Sequence, residues 1–180
     1  MPICLQVSTI GGAPNKLSGA FYRVTPKSMK LGEPYKKVIG SPTKVVTEVI
    51  HELDVTRASV ESFHFGLDLP PEVSSILNRA KMAYLRANLG EQRGLLKLSC
   101  RKNGKDDVVK VLHYNSVTKK EADQNPRRFS GLPLKVVEKI FTALDRELRH
   151  PVVLELEGKV PKKVIDLFTA IVSLYNKQLS

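Results

Sequence analysis

The feature that most constrains the fold of this 180-residue chain is a predicted β-hairpin over residues 94–114. Asn103-Gly104 lies between two apolar runs, and both residue types tolerate the positive φ angles of a two-residue hairpin turn. Counting outward from that turn predicts these cross-strand pairs: Leu96 with Val111 and Leu98 with Val109 on one face, and Lys97 with Lys110 and Arg101 with Asp106 on the other. The hairpin is therefore expected to bury one face and to expose a basic one.

Helices and strands alternate irregularly around this hairpin. Apolar stripes at helical spacing predict four main helices, which begin close to Pro42, Pro70-Pro71, Pro133 and Pro161. Short strands are predicted at 3–7, 59–67 and 152–156. The pattern is typical of the α+β class, in one two-layer domain with a mixed, mostly antiparallel sheet of four or five strands and about four helices. No internal repeat is recognised in the sequence.

The first 42 residues differ in composition from the rest of the chain. Ile3, Leu5 and Val7 predict a short strand, and the segment up to Pro42 is then rich in Gly, Pro, Ser and Lys. Residues 1–42 are therefore predicted to form a short strand and a basic arm, and residues 43–180 a single globular domain. The alternative is that the apolar stretch 20–24 pairs as a strand on the sheet or on a neighbouring subunit.

Positive charge is concentrated rather than spread along the chain. Lys and Arg total 29 against 18 Asp and Glu, which gives a formal net charge of +11. The first 47 residues contain seven basic residues and one acid, and residues 91–130 contain ten basic residues and five acids. Because clustered charge creates a directed field, this distribution predicts binding to a polyanion.

Four basic clusters are the candidate polyanion-binding sites. They lie in the arm, at the hairpin tip, in a loop and at the last strand-to-helix turn. Their members are Lys27, Lys30, Lys36 and Lys37; Arg101, Lys102 and Lys105; Arg127 and Arg128; and Lys159, Lys162 and Lys163. The last cluster also coincides with a predicted helix N-terminus, where unpaired N–H groups favour phosphate.

The sequence offers no arrangement that supports enzyme chemistry. His64 and His113 fall in predicted strands, but two-histidine phosphodiesterases need a hydroxyl two residues after each histidine, where this chain has Gly66 and Asn115. The predicted hairpin separates Cys100 from His113 by about four residues along the strands, too far for a nucleophilic dyad. No pair of ligating residues has metal-site spacing. We therefore expect a protein that is not an enzyme and that binds neither a metal nor a cofactor.

Cysteine usage and hydropathy indicate an intracellular protein. Cys4 and Cys100 lie in apolar strand-like runs and are interpreted as reduced, buried thiols. No apolar run approaches the roughly 20 residues needed to span a bilayer, and no signal peptide is recognised. The expected location is the cytoplasm or nucleus, or the virion if the protein is viral.

These observations predict a non-enzymatic polyanion-binding assembly protein. In size, charge and layout the chain is similar to matrix proteins of negative-strand RNA viruses, although no motif carries that similarity. Its expected partners are then RNA or ribonucleoprotein, an anionic membrane surface and further copies of itself, with no small-molecule substrate. The alternative is a cellular RNA-binding module of a ribonucleoprotein, and the third class is an enzyme acting on a phosphorylated or nucleic-acid substrate.

Overall fold

The computed structural model describes residues 3–24, 32–56, 60–86, 92–144 and 149–175. These ranges contain eight strands, four α-helices and a short 3-10 helix at Glu121–Asp123. The first half of the chain contains β1 (Ile3–Ile10), β2 (Ala13–Arg23), β3 (Lys36–Gly40), α1 (Pro42–Thr56), β4 (Val60–Phe65) and α2 (Pro71–Arg86). The second half contains β5 (Gln92–Asn103), β6 (Asp106–Tyr114), β7 (Arg127–Gly131), α3 (Pro133–Leu144), β8 (Arg149–Glu157) and α4 (Lys162–Tyr175).

The strands form two mixed four-stranded sheets, with the orders β3-β2-β1-β4 and β7-β6-β5-β8. In each sheet three consecutive strands pair antiparallel, and the fourth pairs parallel with the first strand of its half. The predicted α+β class and the four helices are confirmed. The strands, however, are divided between two sheets rather than gathered into one.

The two sheets belong to two halves with the same topology, which is the signature of an internal duplication. The parallel ladders match in register: Leu5 pairs with Phe63, and Leu96 pairs with Leu154. A register irregularity follows Ile3 in the first ladder and follows Gly94 in the second. The expectation of no internal repeat is therefore wrong.

The duplication is also present in the sequence once the structure gives the alignment. Pro42 corresponds to Pro133 and Pro70 to Pro161, a constant displacement of 91 positions. Residues 40–54 and 131–145 then share seven identical positions of fifteen, including a Lys-Val-Val run in both helices. Strands β2 and β6 are displaced by one position more, so that Phe21 corresponds to His113.

The two halves share one hydrophobic core. Helix α1 packs mainly against α4, and α2 packs mainly against α3, so each helix contacts the opposite half. The buried residues of both sheets and all four helices form a single cluster, in which Phe21, Phe141 and Phe168 are fully buried. Because the core is continuous across the halves, the duplication builds one domain rather than two.

Most of the described part of the predicted basic arm lies in two strands of the first sheet. Strand β2 pairs with β1 along its length and β3 pairs with β2, and Leu17, Phe21 and Val38 point into the core. The alternative in which the apolar stretch 20–24 pairs as a strand is therefore the one that the structure supports. Residues 25–31, which include Lys27 and Lys30, lie outside the described residues.

The predicted hairpin is present, but its register differs by two residues. The turn is Gly104-Lys105 rather than Asn103-Gly104, so Asn103 pairs with Asp106. Gly104 has φ +65°, as the first central position of a primed turn requires. The observed pairs are Leu96 with His113, Leu98 with Val111, Cys100 with Val109, Arg101 with Val108 and Lys102 with Asp107. A shift of two residues preserves the faces, so the apolar face is still the buried one.

Two further expectations concern thiols and membranes. Cys4 is buried and Cys100 is half-buried, and neither forms a disulfide. Within the described ranges, none of the helices combines the length and the apolar character that a membrane-spanning segment needs.

Candidate polyanion-binding surface

The hairpin tip and the turn between β8 and α4 meet at one end of the second sheet. Strand β8 pairs parallel with β5, and Glu157 lies opposite Ser99, so the chain leaves β8 directly beside the tip. An open cavity of about 600 Å³ lies between the two segments. Two of the four predicted basic clusters are thus adjacent, and we call their combination the tip cluster: Arg101, Lys102, Lys105, Lys159, Lys162 and Lys163.

A buried aspartate holds the tip cluster together. Asp107 is 5% exposed and lies on the core face of β6. Its carboxylate contacts Lys102 Nζ at 2.9 Å and Lys163 Nζ at 3.1 Å. The Lys102 ammonium lowers the pKa of Asp107, burial opposes this effect, and the Lys163 ammonium adds to it. The ion pairs tie the hairpin to the start of α4.

The two paired lysines remain largely accessible. The side chains of Lys102 and Lys163 are 65% and 67% exposed, although each contacts Asp107. One carboxylate between two ammonium groups leaves a net positive charge, so the arrangement positions cations at the surface without neutralising them. The sequence predicted both lysines as polyanion-binding residues but did not predict the aspartate between them.

The first turn of α4 adds further positive charge to the same place. The N–H groups of Val164 and Ile165 both donate to the carbonyl oxygen of Pro161, which marks the start of the helix. The turn carries Lys162 and Lys163 and has no acidic residue. Asp166, one turn later, lies 3.7 Å from Lys162 Nζ. A helix N-terminus with adjacent cations favours an anion through both its N–H groups and its dipole.

The cavity beneath the tip cluster is lined by four aliphatic side chains as well as by charged ones. Leu156, Val160, Pro161 and Ile165 line it, together with Cys100. Leu156 is 46% exposed, which is unusual for a leucine on the core face of a strand. Burial raises the pKa of the Cys100 thiol, and the nearby Asp107 carboxylate raises it further. Aromatic side chains are missing from the described lining residues, so a nucleobase would find no stacking partner there.

The internal duplication provides a reference for the tip cluster. The corresponding positions of the first half are Ile10, Gly11, Ala13, Asp68, Pro71 and Glu72. This set contains no basic residue and two acids, against six basic residues in the tip cluster. Two places of the same topology therefore carry charge of opposite sign, and the positive charge is concentrated on the one in the second half.

The described members of the other predicted clusters do not join the tip cluster. Lys36 and Lys37 begin β3, and Lys36 Nζ is bound by Glu52 at 2.9 Å and by Glu48 at 3.4 Å. Arg127 and Arg128 begin β7, where they are the counterparts of Lys36 and Lys37.

Strand pairing fixes how far the two arginines lie from the tip. Arg128 pairs with Leu112, six residues along β6 from the hairpin turn. At the usual rise of a strand this is about 20 Å, so the arginines lie towards the other end of the sheet. The ten predicted residues that the structure describes therefore do not form one continuous site.

The two histidines that fall in strands, His113 and His64, lie in different environments. His113 is 2% exposed on the core face of β6, and a Cβ placed on Gly94 would lie 2.9 Å from its Nε2. Cys100 pairs with Val109, four residues from His113 along β6, about 13 Å apart, so the two do not form a dyad. His64 lies exposed on β4. Within the described residues, no group of histidine, cysteine and acidic side chains could hold a metal ion.

Comparison of the chain with protein-family models, with curated proteins and with solved structures finds no significant match.

Proposed function

We propose that this protein is a non-enzymatic polyanion-binding assembly protein, and that the tip cluster is its principal binding surface. Its most specific form is a viral matrix-like protein that contacts ribonucleoprotein and an anionic membrane. The observation that carries the proposal is the charge contrast between the halves, since six basic side chains replace a set of neutral and acidic ones. Because the two places share a topology but differ in the sign of their charge, only the one in the second half attracts a polyanion.

The aliphatic cavity supports the membrane contact. Cations on the rim would meet lipid phosphate, while the exposed Leu156 and its aliphatic neighbours accept apolar groups beneath the headgroups. Basic residues near an anionic membrane each contribute about 1 kcal/mol, so several acting together give appreciable binding without an inserted helix.

A cellular RNA-binding module is the second candidate. The start of α4 favours it, because backbone N–H groups beside Lys162 and Lys163 suit a single phosphate of a nucleic-acid backbone. This version predicts binding through phosphates alone, with little sequence preference.

The test is a triple variant, Arg101→Ser/Lys105→Ser/Lys159→Ser, which leaves the Asp107 ion pairs intact. The matched control, Lys16→Ser/Lys119→Ser/Lys120→Ser, removes the same charge from exposed positions elsewhere. Binding to single-stranded RNA and to vesicles containing phosphatidylserine is measured over a salt series. We expect the first variant to weaken binding to at least one of the two polyanions, while the control keeps nearly wild-type affinity.

The salt dependence identifies direct contacts. Each lost phosphate contact with single-stranded RNA should flatten the slope of log K against log salt by about 0.7. Both variants should keep the wild-type melting temperature within a few degrees, because exposed charges contribute about 0–1 kcal/mol. Equal losses in the two variants would mean that net charge alone governs binding, and unchanged binding in the first variant would remove the tip cluster from the proposal.

A further inference from the structure

A fully exposed leucine lies in the turn between β4 and α2. Leu67 and Asp68 are the central residues of this turn, which we call the Leu67 turn, and both are exposed. The N–H of Leu69 donates to the carbonyl oxygen of Gly66 at 3.1 Å and closes the turn, while the N–H of Gly66 donates to the carbonyl oxygen of Val7 at 2.9 Å. Leu69 itself is buried in the core. The turn is therefore held on both sides, and it keeps the Leu67 side chain at a fixed place on the surface.

The sequence around Leu67 is acidic, although the net charge of the chain is +11. Residues 58–78 contain three acids, Glu61, Asp68 and Glu72, and no lysine or arginine. Asp68 is exposed directly beside Leu67. An apolar side chain next to a carboxylate is complementary to a hydrophobic hollow that has cations at its rim.

The second half has such a hollow at the same turn. At the constant displacement of 91 positions, Leu67 corresponds to Gly158, which has no side chain. Asp68 corresponds to Lys159, so the charge at this position is reversed. Gly158 and Lys159 both line the cavity of about 600 Å³ beneath the tip cluster, and the half-exposed Leu156 is part of the same lining. The first half therefore presents an apolar side chain beside an acid where the second half presents a cavity beside a base.

We propose that the Leu67 turn of one copy of this chain docks into the cavity beneath the tip cluster of a second copy. The Leu67 side chain contacts the aliphatic lining, and the Asp68 carboxylate meets the lysines at the rim. Because the two surfaces belong to different halves, the contact is heterologous, and each added copy offers a further turn or cavity to the next. The inference rests on the assembly role proposed above, and it makes a second copy and a lipid competing occupants of one cavity.

Self-association of the full chain is the first measurement. One turn in one cavity is a small interface, so the contact is expected to be weak and to depend on concentration. Sedimentation velocity over about 1–200 μM covers the affinities that such an interface gives. We expect the mean mass to rise with concentration, and to rise less in high salt because an ion pair contributes. A wild-type chain that remains monomeric over this range overturns the proposal.

Two double variants each remove one of the two surfaces. The turn variant, Leu67→Ser/Asp68→Asn, leaves the tip cluster intact. The cavity variant, Leu156→Glu/Lys159→Glu, places negative charge in the cavity lining at two exposed positions. Each variant alone should self-associate about tenfold more weakly or worse, because the burial of a leucine and an ion pair are lost.

The matched control is Asp54→Asn/Val55→Ser. It removes another exposed aliphatic side chain beside an aspartate, in α1, and should associate as the wild type does. If circular dichroism shows that the cavity variant is unfolded, Lys159→Glu alone replaces it. An equal loss of association in the control and the turn variant would refute a specific role of the Leu67 turn.

Mixing the two variants tests whether the contact joins unlike surfaces. The turn variant keeps its cavity and the cavity variant keeps its turn, so the mixture should form one-to-one pairs that do not grow further. A mixture that stays monomeric while the wild type associates refutes the heterologous contact.

Polyanion binding separates this inference from the proposed function. The turn variant should bind RNA and phosphatidylserine vesicles at least as tightly as the wild type, because it retains every residue of the tip cluster. Wild-type chains that associate without binding either polyanion would refute the polyanion-binding function and leave the self-contact standing. Unchanged self-association of the turn variant, with weaker vesicle binding, would assign Leu67 to a membrane contact and overturn the inference.

Discussion

Replacing Asp107 by Asn should destabilise the fold and strengthen polyanion binding at the same time. Removing one partner of a fully buried ion pair costs about 3–5 kcal/mol, because the other charge is left without water. Here the partners Lys102 and Lys163 are 65% and 67% exposed, so both can regain hydration. What is lost is two partly exposed ion pairs, together worth about 1–2 kcal/mol after this discount. For a chain of this size that lowers the melting temperature by about 2–8 °C.

The pH dependence of stability tests independently whether the charged Asp107 carboxylate stabilises the fold. The two lysines hold the pKa of Asp107 below its usual value, so the group binds protons less readily in the folded chain than in the unfolded one. Its contribution is therefore complete above the unfolded-state pKa of about 3.9, and it disappears as the pH falls through the lower, folded-state pKa. The Asn variant should lack this contribution, so its deficit relative to wild type should be largest near neutral pH and shrink in acid.

The measurements are urea unfolding at several pH values and RNA or vesicle binding at fixed salt. Asp106→Asn is the matched control, because Asp106 is the exposed neighbour on the opposite face of β6 and its loss changes the net charge equally. The Asp107 variant should be less stable than the control yet bind at least as tightly, since two lysines are released. Equal stability of the two variants at pH 7 would refute the claim that this carboxylate joins the hairpin to α4.

Two further predictions test the first half of the chain. Phe21→Ala should lower the free energy of unfolding by about 3–5 kcal/mol in urea, because the fully buried ring lies in a core strand. A decrease of less than about 1 kcal/mol would contradict this placement of the ring. The pKa of Tyr35 is raised to about 12 by burial and by the Glu52 carboxylate, which accepts a hydrogen bond from the phenol. In an absorbance titration, Glu52→Gln should therefore shift the titration of one tyrosine to lower pH. An unchanged titration curve would argue against that hydrogen bond.

The helices could be predicted from the sequence because their signals are local. The expected starts agree with Pro42 of α1, Pro71 of α2 and Pro133 of α3, and with Lys162 of α4, just after Pro161. In each case a proline near the first turn precedes an apolar stripe of helical period, and neither signal depends on the rest of the fold.

The hairpin register could not be predicted because its deciding contacts are not local. Both Asn103-Gly104 and Gly104-Lys105 can form a two-residue turn, and the two choices bury the same face. Only the observed register sets Asp107 against Lys102, within reach of Lys163 on a helix that follows more than fifty residues later. The role of Asp107 at the centre of the candidate site could therefore not be predicted from the hairpin sequence alone.

The full extent of strand β2 could not be predicted from the sequence because a glycine interrupts the apolar residues of its buried face. Between Leu17 and Phe21 the inward position is Gly19, which lies close enough to Val45 that an added Cβ would meet it at 3.5 Å. With a glycine at the centre of the strand, the alternation of apolar residues is too short to recognise. The lysines that begin β3 add to the basic composition of this segment, and Lys36 forms ion pairs with two glutamates of α1.

The duplication explains how the two halves of one small fold can differ in surface charge. Because α1 packs on α4 and α2 on α3, the core constrains both halves together, and the shared Lys-Val-Val run lies in the helices that build it. Residues at the hairpin ends and at the strand-to-helix turns are outside that constraint. There the halves diverge, as Glu72 against Lys163 shows, so each half can alter its surface charge without disturbing the packing that the halves share.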